Sequence, residues 1–293
     1  MEIENSNPGK DISTEDIKTK FPLAAKKSPN HKTSVKVGNI EIGGRDIVTM
    51  MGPNLVENRK MIFLIAQWAK ENGVSILRGG CFKPLTFPYR GDKYFETGIQ
   101  GLKWLAEAGK SFDIPVITEA VSESQVALVA EYSDIIQIGT RNMQNFPLLT
   151  TAAKTQKPIL LKRGFGSSLR DFMGAAEYIL LEGNSSLILC ERGIVVPHTH
   201  RSTSRFLLDL QIIPAVKEIS HLPIITDPSH ATFWAPWVKP LALASVAAGA
   251  DGVMIETHMD PRNAAIDPLQ PLDLIQSSEL VQSLNLIAKI VRK

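Results

Sequence analysis

Cysteine is nearly absent from this chain. Cys81 and Cys190 are the only two in 293 residues, and they sit on different predicted strand ends and offer no disulfide framework. An excess of one charge is also missing. Lys and Arg number 32 against 30 Asp and Glu, and the resulting net charge of +2 argues against nucleic acid or a membrane surface as partner. No apolar stretch approaches the roughly 20 residues that a membrane helix needs. The opening residues, MEIENSNPGKDISTEDIK, have neither the basic start nor the apolar run of a secretory signal. There is no internal repeat, and the segment ahead of the first strand run is too short for a further folded module. These absences predict a soluble cytoplasmic protein, and 44% apolar residues suffice to bury one large core.

What the chain has in abundance is a repeated pairing of patterns. Short apolar runs end in polar residues eight times: 47–51 before Asn54, 74–77 before Arg78, 116–118 before Glu119 and 135–138 before Arg141. The others are 159–161 before Lys162, 187–190 before Glu191 and Arg192, 224–226 before Asp227 and His230, and 253–255 before Glu256. Helical periodicity fills 59–71, 98–108, 123–131, 145–154, 168–181, 204–219, 237–248 and 272–291. Continuous apolar runs read as strands buried on both faces, as parallel strands are. Eight strand–helix units predict an α/β fold, a (β/α)8 TIM barrel over 33–293, with chemistry at the C-terminal strand ends. A polar arm is expected at 1–32. The alternation and central Gly-Asn at 33–44 predict a hairpin closing the N-terminal end of the barrel. The longest loops, 80–97, 193–203 and 257–272, are expected to be lids or binding loops.

A single Lys or Arg at a surface is ordinarily a solvated charge. Arg78, Lys83, Arg141, Lys162 and Arg192 differ because they converge from four strands on one mouth, with no clustered acid to neutralise them. Guanidinium forks match phosphate and carboxylate oxygens, so a small substrate carrying both is expected. A second cluster joins His230, Glu256 and Asp267, a reasonable divalent-metal set. The plainer reading is that Asp227 and His230 cap a helix. Asn54 would supply the fourth ligand, and its neutral amide oxygen argues against a tight soft-metal site.

The strings LRGGCFKP, TEA, DIIQIGTRNMQNFPLL, KPILLKRG, LILCERGI, HLPIITDPSHAT and AAGADGVMIETHMDP resemble the short-form (type I beta) 3-deoxy-arabino-heptulosonate-7-phosphate (DAHP) synthases. These share a superfamily with 3-deoxy-octulosonate-8-phosphate synthases. The resemblance runs from about residue 21 to the C-terminus. It implies a transferase that condenses phosphoenolpyruvate with an aldose phosphate and releases inorganic phosphate. It places phosphoenolpyruvate on Arg78, Lys83, Arg141, Lys162 and Arg192, catalysis on Lys83, Asn54 and His230, and metal on His230, Glu256 and Asp267. A homo-oligomer, dimer or tetramer, is expected.

Three departures concern the other half of the site. Asn54, in GPNL, stands where metal-dependent members carry Cys, as in metal-independent octulosonate-phosphate synthases. The expected cofactor is therefore none, or weakly bound Mn or Mg. The KPRT string reads KPLT, so Leu85, followed by Thr86, replaces the Arg that grips the acceptor phosphate. The loops after Tyr89 and Ile194 are lengthened, and Asp267 precedes Pro268 rather than Gly. The acceptor side is assigned to Leu85, Thr86, Arg90 and Asp267. Either the acceptor lacks a phosphate and packs against Leu85, Phe87 and Trp234, or its phosphate shifts towards Arg90, Lys93, His198 or His200. The alternatives are an ordinary DAHP synthase using erythrose 4-phosphate and a non-catalytic phosphoenolpyruvate-binding homologue.

Overall fold

Eight parallel strands close into a barrel in the computed structural model, which describes residues 19–84, 96–197, 200–201 and 206–292. A separate antiparallel hairpin, β1 (Val35–Val37) and β2 (Ile40–Ile42), precedes it. The barrel strands are β3 (Val48–Gly52), β4 (Ile76–Arg78), β5 (Val116–Ala120), β6 (Ile135–Ile138), β7 (Ile159–Lys162), β8 (Leu187–Glu191), β9 (Ile224–Thr226) and β10 (Gly252–Glu256). They are hydrogen-bonded in sequence order, and β10 closes on β3 with Glu256 opposite Gly52. Every residue of these eight strands is buried, which is why they read as unbroken apolar runs.

The helices are α1 (Arg59–Glu71), α2 (Gly98–Ser111), α3 (Glu123–Tyr132), α4 (Phe146–Lys154), α5 (Leu169–Leu181), α6 (Ile212–Ile219), α7 (Pro228–Thr232), α8 (Ala235–Ala247) and α9 (Leu274–Val291). Their starts follow local chemistry. The Asn58 side chain accepts from the Met61 amide at α1, and Ser168–Asp171 and Asp273–Gln276 form capping boxes at α5 and α9. The core has two layers. Ile62, Ile65, Leu102, Leu105 and Phe172 lie between strands and helices. Met50, Ile117, Leu160, Ile188 and Met254 fill the barrel interior, and Val35, Val37 and Ile42 of the hairpin pack into that same cluster.

Two expectations need correction. Helical structure within 204–219 begins only at Ile212. Leu207 is paired with Ile194 in a short antiparallel bridge, and the Asp209 carboxylate accepts from the Gln211 and Ile212 amides, which starts the helix there. The polar arm assigned to 1–32 is packed over its last part. Ala24 and Ala25 are buried, the Leu23 and Ala24 amides donate to Glu177, and Lys26 N donates to the Ile219 carbonyl. Polar composition concealed this, because the docking is made by backbone groups and two small side chains.

Candidate active site

The C-terminal strand ends gather the predicted cations. Arg78 ends β4, Arg141 sits in a 3-10 turn after β6, Lys162 ends β7 and Arg192 follows β8. The expectation that no acid lies among them is overturned. Asp227, fully buried after β9, takes Lys162 Nζ on its Oδ2 at 2.5 Å and caps α7 by accepting from His230 N at 3.1 Å. Burial pushes the Asp227 carboxyl up, but His230 and Lys162 outweigh it and hold the group well below the usual carboxylate range. The cap and the charge pairing therefore occur in one residue.

Arg192 is in a different position. It is 5% exposed, burial pulls its guanidinium down to about 10, and its Nη1 makes no hydrogen bond among the described residues. Arg78 Nη1 is also buried without a hydrogen bond, with Glu256 Oε2 standing off at 3.8 Å. Burying such donors unpaired is costly, and an acceptor oxygen brought to either would relieve that cost.

The other half of the mouth is built around Asn54. Gly52, at φ +148°, lets the chain pass against β4, where a Cβ would meet the Arg78 carbonyl oxygen at 2.0 Å. Asn54 Oδ1 then accepts from Lys83 Nζ at 2.5 Å and Arg78 Nη2 at 3.2 Å, while Nδ2 donates to Asp267 Oδ2 at 3.2 Å. Burial depresses the Lys83 pKa, with Glu119 acting in the opposite sense. Burial pushes Glu256 up to about 7, against Arg78 and helped by Asp267. Its Oε2 accepts from Gln270 Nε2 at 2.5 Å. His230 is held well below its ordinary range, chiefly by burial, and is therefore neutral. Its Nδ1 lies 2.9 Å from Asp227 and its Nε2 3.9 Å from Glu256.

This donor set does not fit a divalent ion. Asn54 Oδ1 already faces two cationic groups, and Asp267 accepts the Asn54 amide proton. Among the described residues, no three of His, Cys, Asp and Glu form a metal-holding group. The expectation of weak Mn or Mg on His230, Glu256 and Asp267 therefore finds no prepared site. Cys81 offers no substitute thiolate, since burial raises its pKa to about 12.

Leu85, Thr86, Phe87, Arg90, Lys93 and His198 lie outside the described residues. His200 lies edge-on to Trp237 and lines an apolar cavity of about 580 Å³ with Pro197, Phe206 and Leu241. Trp234 is not a bare apolar plate, because the Arg201 guanidinium lies 3.7 Å from its ring centroid. Sequence reasoning also passed over Glu119, Glu191 and Arg163. Glu119 is buried with Oε1 lacking a partner and Oε2 held by Gln137 at 2.9 Å. Glu191 and Asp209 clamp Arg163 at 3.0 and 2.7 Å. The strand-end position of Glu119 and Glu191 was the available signal.

A closed barrel whose mouth buries several cations, two of them with an unanswered donor, has the makings of an enzyme acting on a small, multiply charged anion. Comparison with known proteins agrees. The family model described as "DAHP synthetase I family" matches residues 20–292. A phospho-2-dehydro-3-deoxyheptonate aldolase of Thermotoga maritima is 41% identical over 268 residues, covering 92% of this chain and 78% of its own. A crystal structure of a DAHP synthase from that organism matches with TM-score 0.86 at 40% identity, over 92% of this chain and 77% of that one. A truncated form of the 3-deoxy-D-arabino-heptulosonate 7-phosphate synthase from the same organism matches with TM-score 0.84 at 39% identity, over 93% and 98%. A 2-dehydro-3-deoxyphosphooctonate aldolase of Syntrophobacter fumaroxidans is 30% identical over 274 residues, covering 86% of this chain and 90% of its own. The chain belongs to the DAHP synthetase I family, a group of enzymes that form a carbon–carbon bond by aldol-type condensation.

Proposed function

We propose that this chain condenses phosphoenolpyruvate with an aldehyde, giving a 3-deoxy-2-keto sugar acid and inorganic phosphate, without a required metal. The observation that carries this reading is the pair of buried guanidinium nitrogens, Arg78 Nη1 and Arg192 Nη1, that make no hydrogen bond. A ligand with both phosphate and carboxylate supplies the missing acceptors, and Arg141 and Lys162 add charge to the same mouth.

In this reaction C3 of phosphoenolpyruvate attacks the carbonyl carbon of the aldehyde. The aldehyde oxygen takes a proton from the Lys83 ammonium, which burial predisposes to give it up. Water adds at C2, and its proton passes to neutral His230 or to Glu256. The C2–O bond to phosphate then breaks with its electron pair going to the phosphate, the remaining C2 hydroxyl proton passes to the departing phosphate, and C2 becomes a ketone. Asn54 acts by holding Lys83 and Arg78 in place rather than by ligating an ion.

Leu85 lacks the fork that would grip an acceptor phosphate. The Arg201 guanidinium lies on the Trp234 ring, four residues past His230, and on that ground we favour a phosphorylated acceptor over a neutral one. Phosphate release from phosphoenolpyruvate should be assayed with short aldoses, phosphorylated and not, with and without chelator. Aldehyde-dependent release that survives chelation supports the reading. Tight binding without turnover across the panel assigns a binder instead. A kcat/KM of ~10⁴ M⁻¹s⁻¹ or more on erythrose 4-phosphate makes the chain an ordinary DAHP synthase.

A further inference from the structure

Phe165 and Phe206 have no part in the chemistry above, yet they touch its cations. Phe165 lies just past the end of β7, and Phe206 precedes Leu207 in the segment bridged to Ile194. Their rings stack at 4.7 Å with planes 10° apart. The Arg192 guanidinium lies 4.9 Å from the Phe165 centroid and 4.3 Å from that of Phe206. The Arg141 guanidinium lies 5.5 Å from Phe165. Two like charges, carried by segments after β6 and β8, thus share one aromatic plate. The backbone is shaped to permit it: a Cβ on Gly193 would come within 2.8 Å of Phe206 Cβ. The stack continues to Phe233, tilted 38° at 5.8 Å, which ends the short helix carrying His230.

Hydrogen bonds alone do not account for the aim of Arg192, since its Nη1 has none. An aromatic face is electron-rich and attracts a guanidinium without occupying its N–H donors, which stay available to an anion. We propose that Phe165 and Phe206 form a positioning pair that holds Arg192 beside Arg141, with Arg192 Nη1 left for a ligand, before phosphoenolpyruvate arrives. This rests on the functional reading above. The pair preorganises the Arg192 guanidinium, so its loss weakens binding more than it slows the chemical step.

The test is calorimetric titration of phosphoenolpyruvate into the wild type, Phe165→Leu, Phe165→Tyr, Phe206→Leu and a protein with a ring-fluorinated phenylalanine at position 165. The fluorinated ring keeps the shape and removes the negative face, so it remains informative if a Leu variant does not fold. Leu and fluorinated proteins should bind roughly tenfold more weakly, with Tyr close to wild type. In steady state their KM for phosphoenolpyruvate should rise by more than kcat falls. Folded Leu and fluorinated proteins that bind as tightly as wild type would reduce the stack to loop packing and overturn the inference. A wild type that takes up no phosphoenolpyruvate removes the functional reading itself, a result distinct from the first.

Discussion

Arg192 and Asn54 stand on opposite sides of one barrel mouth and differ in how far their polar atoms are satisfied. Arg192 is buried with a guanidinium nitrogen that bonds nothing among the described residues, and burial depresses its pKa. Asn54 has both ends of its amide engaged, its oxygen by Lys83 and Arg78 and its nitrogen by Asp267. One side is prepared for a ligand to complete it. The other has been closed by its own side chains. An intact cluster of strand-end cations thus coexists with an altered neighbour because the two are held by separate contacts.

The comparison can be broken most severely at Lys83, which faces both sides. Lys83→Met should lower kcat by about 10²–10⁴ if it is the proton donor, measured as aldehyde-dependent phosphate release. A fall confined to KM would make Lys83 a binding residue only. Next in size is Arg192→Ala, which should weaken phosphoenolpyruvate binding by about 2–5 kcal/mol in calorimetry, with the aldehyde step largely spared. Unchanged affinity would erase the claim that this side awaits an anion.

Asn54→Cys sharpens the contrast from the other side. It removes the amide that occupies Lys83 and Asp267 and puts a thiol in its place on the same side of the mouth. Titration with Mn²⁺ or Zn²⁺ should reveal an affinity that the wild type lacks. The smallest effect is expected at the thiols. Burial raises the pKa of both Cys81, to about 12, and Cys190. The neutral Cys81 thiol contributes its full stability below the unfolded value near 9, and that contribution is lost as pH rises towards 12. At pH 8 neither thiol should react with Ellman's reagent until denaturant is added. Rapid labelling of Cys81 alone would mean that the Asn54 side opens in solution.

Much of this architecture was legible in the linear chain. Parallel strands buried on both faces leave unbroken apolar runs, and the helix spanning Arg59–Glu71 is bounded by an Asn cap and an Asn-Gly pair. The strand-end cations were legible for the same reason, since Arg78 and Lys162 follow their runs directly and Arg192 and Arg141 come two and three residues after theirs. Their counter-ions were less so. Asp227 reaches Lys162 across two strands and 65 residues, and it also has a local role as a helix cap that seemed to explain it. The Phe165–Phe206 stack carries no period or motif, because one ring follows a strand and the other lies in a long connection. The start of α6 was misplaced because Leu207 continues the apolar pattern while pairing with Ile194 instead.

The closure of β10 onto β3 sets when the protein can begin to work. The bond between Asn54 and Asp267 spans 213 residues, and Glu256 meets the chain opposite Gly52. A nascent chain emerging from the ribosome makes its strand-end cations early, up to Arg192, but cannot assemble the Asn54 side until the last strand is synthesised. Contacts of such sequence separation form late and at a high entropic cost. Turnover should therefore appear only in full-length product, whereas a shortened chain ending before β10 retains the earlier cations and lacks Glu256 and Asp267.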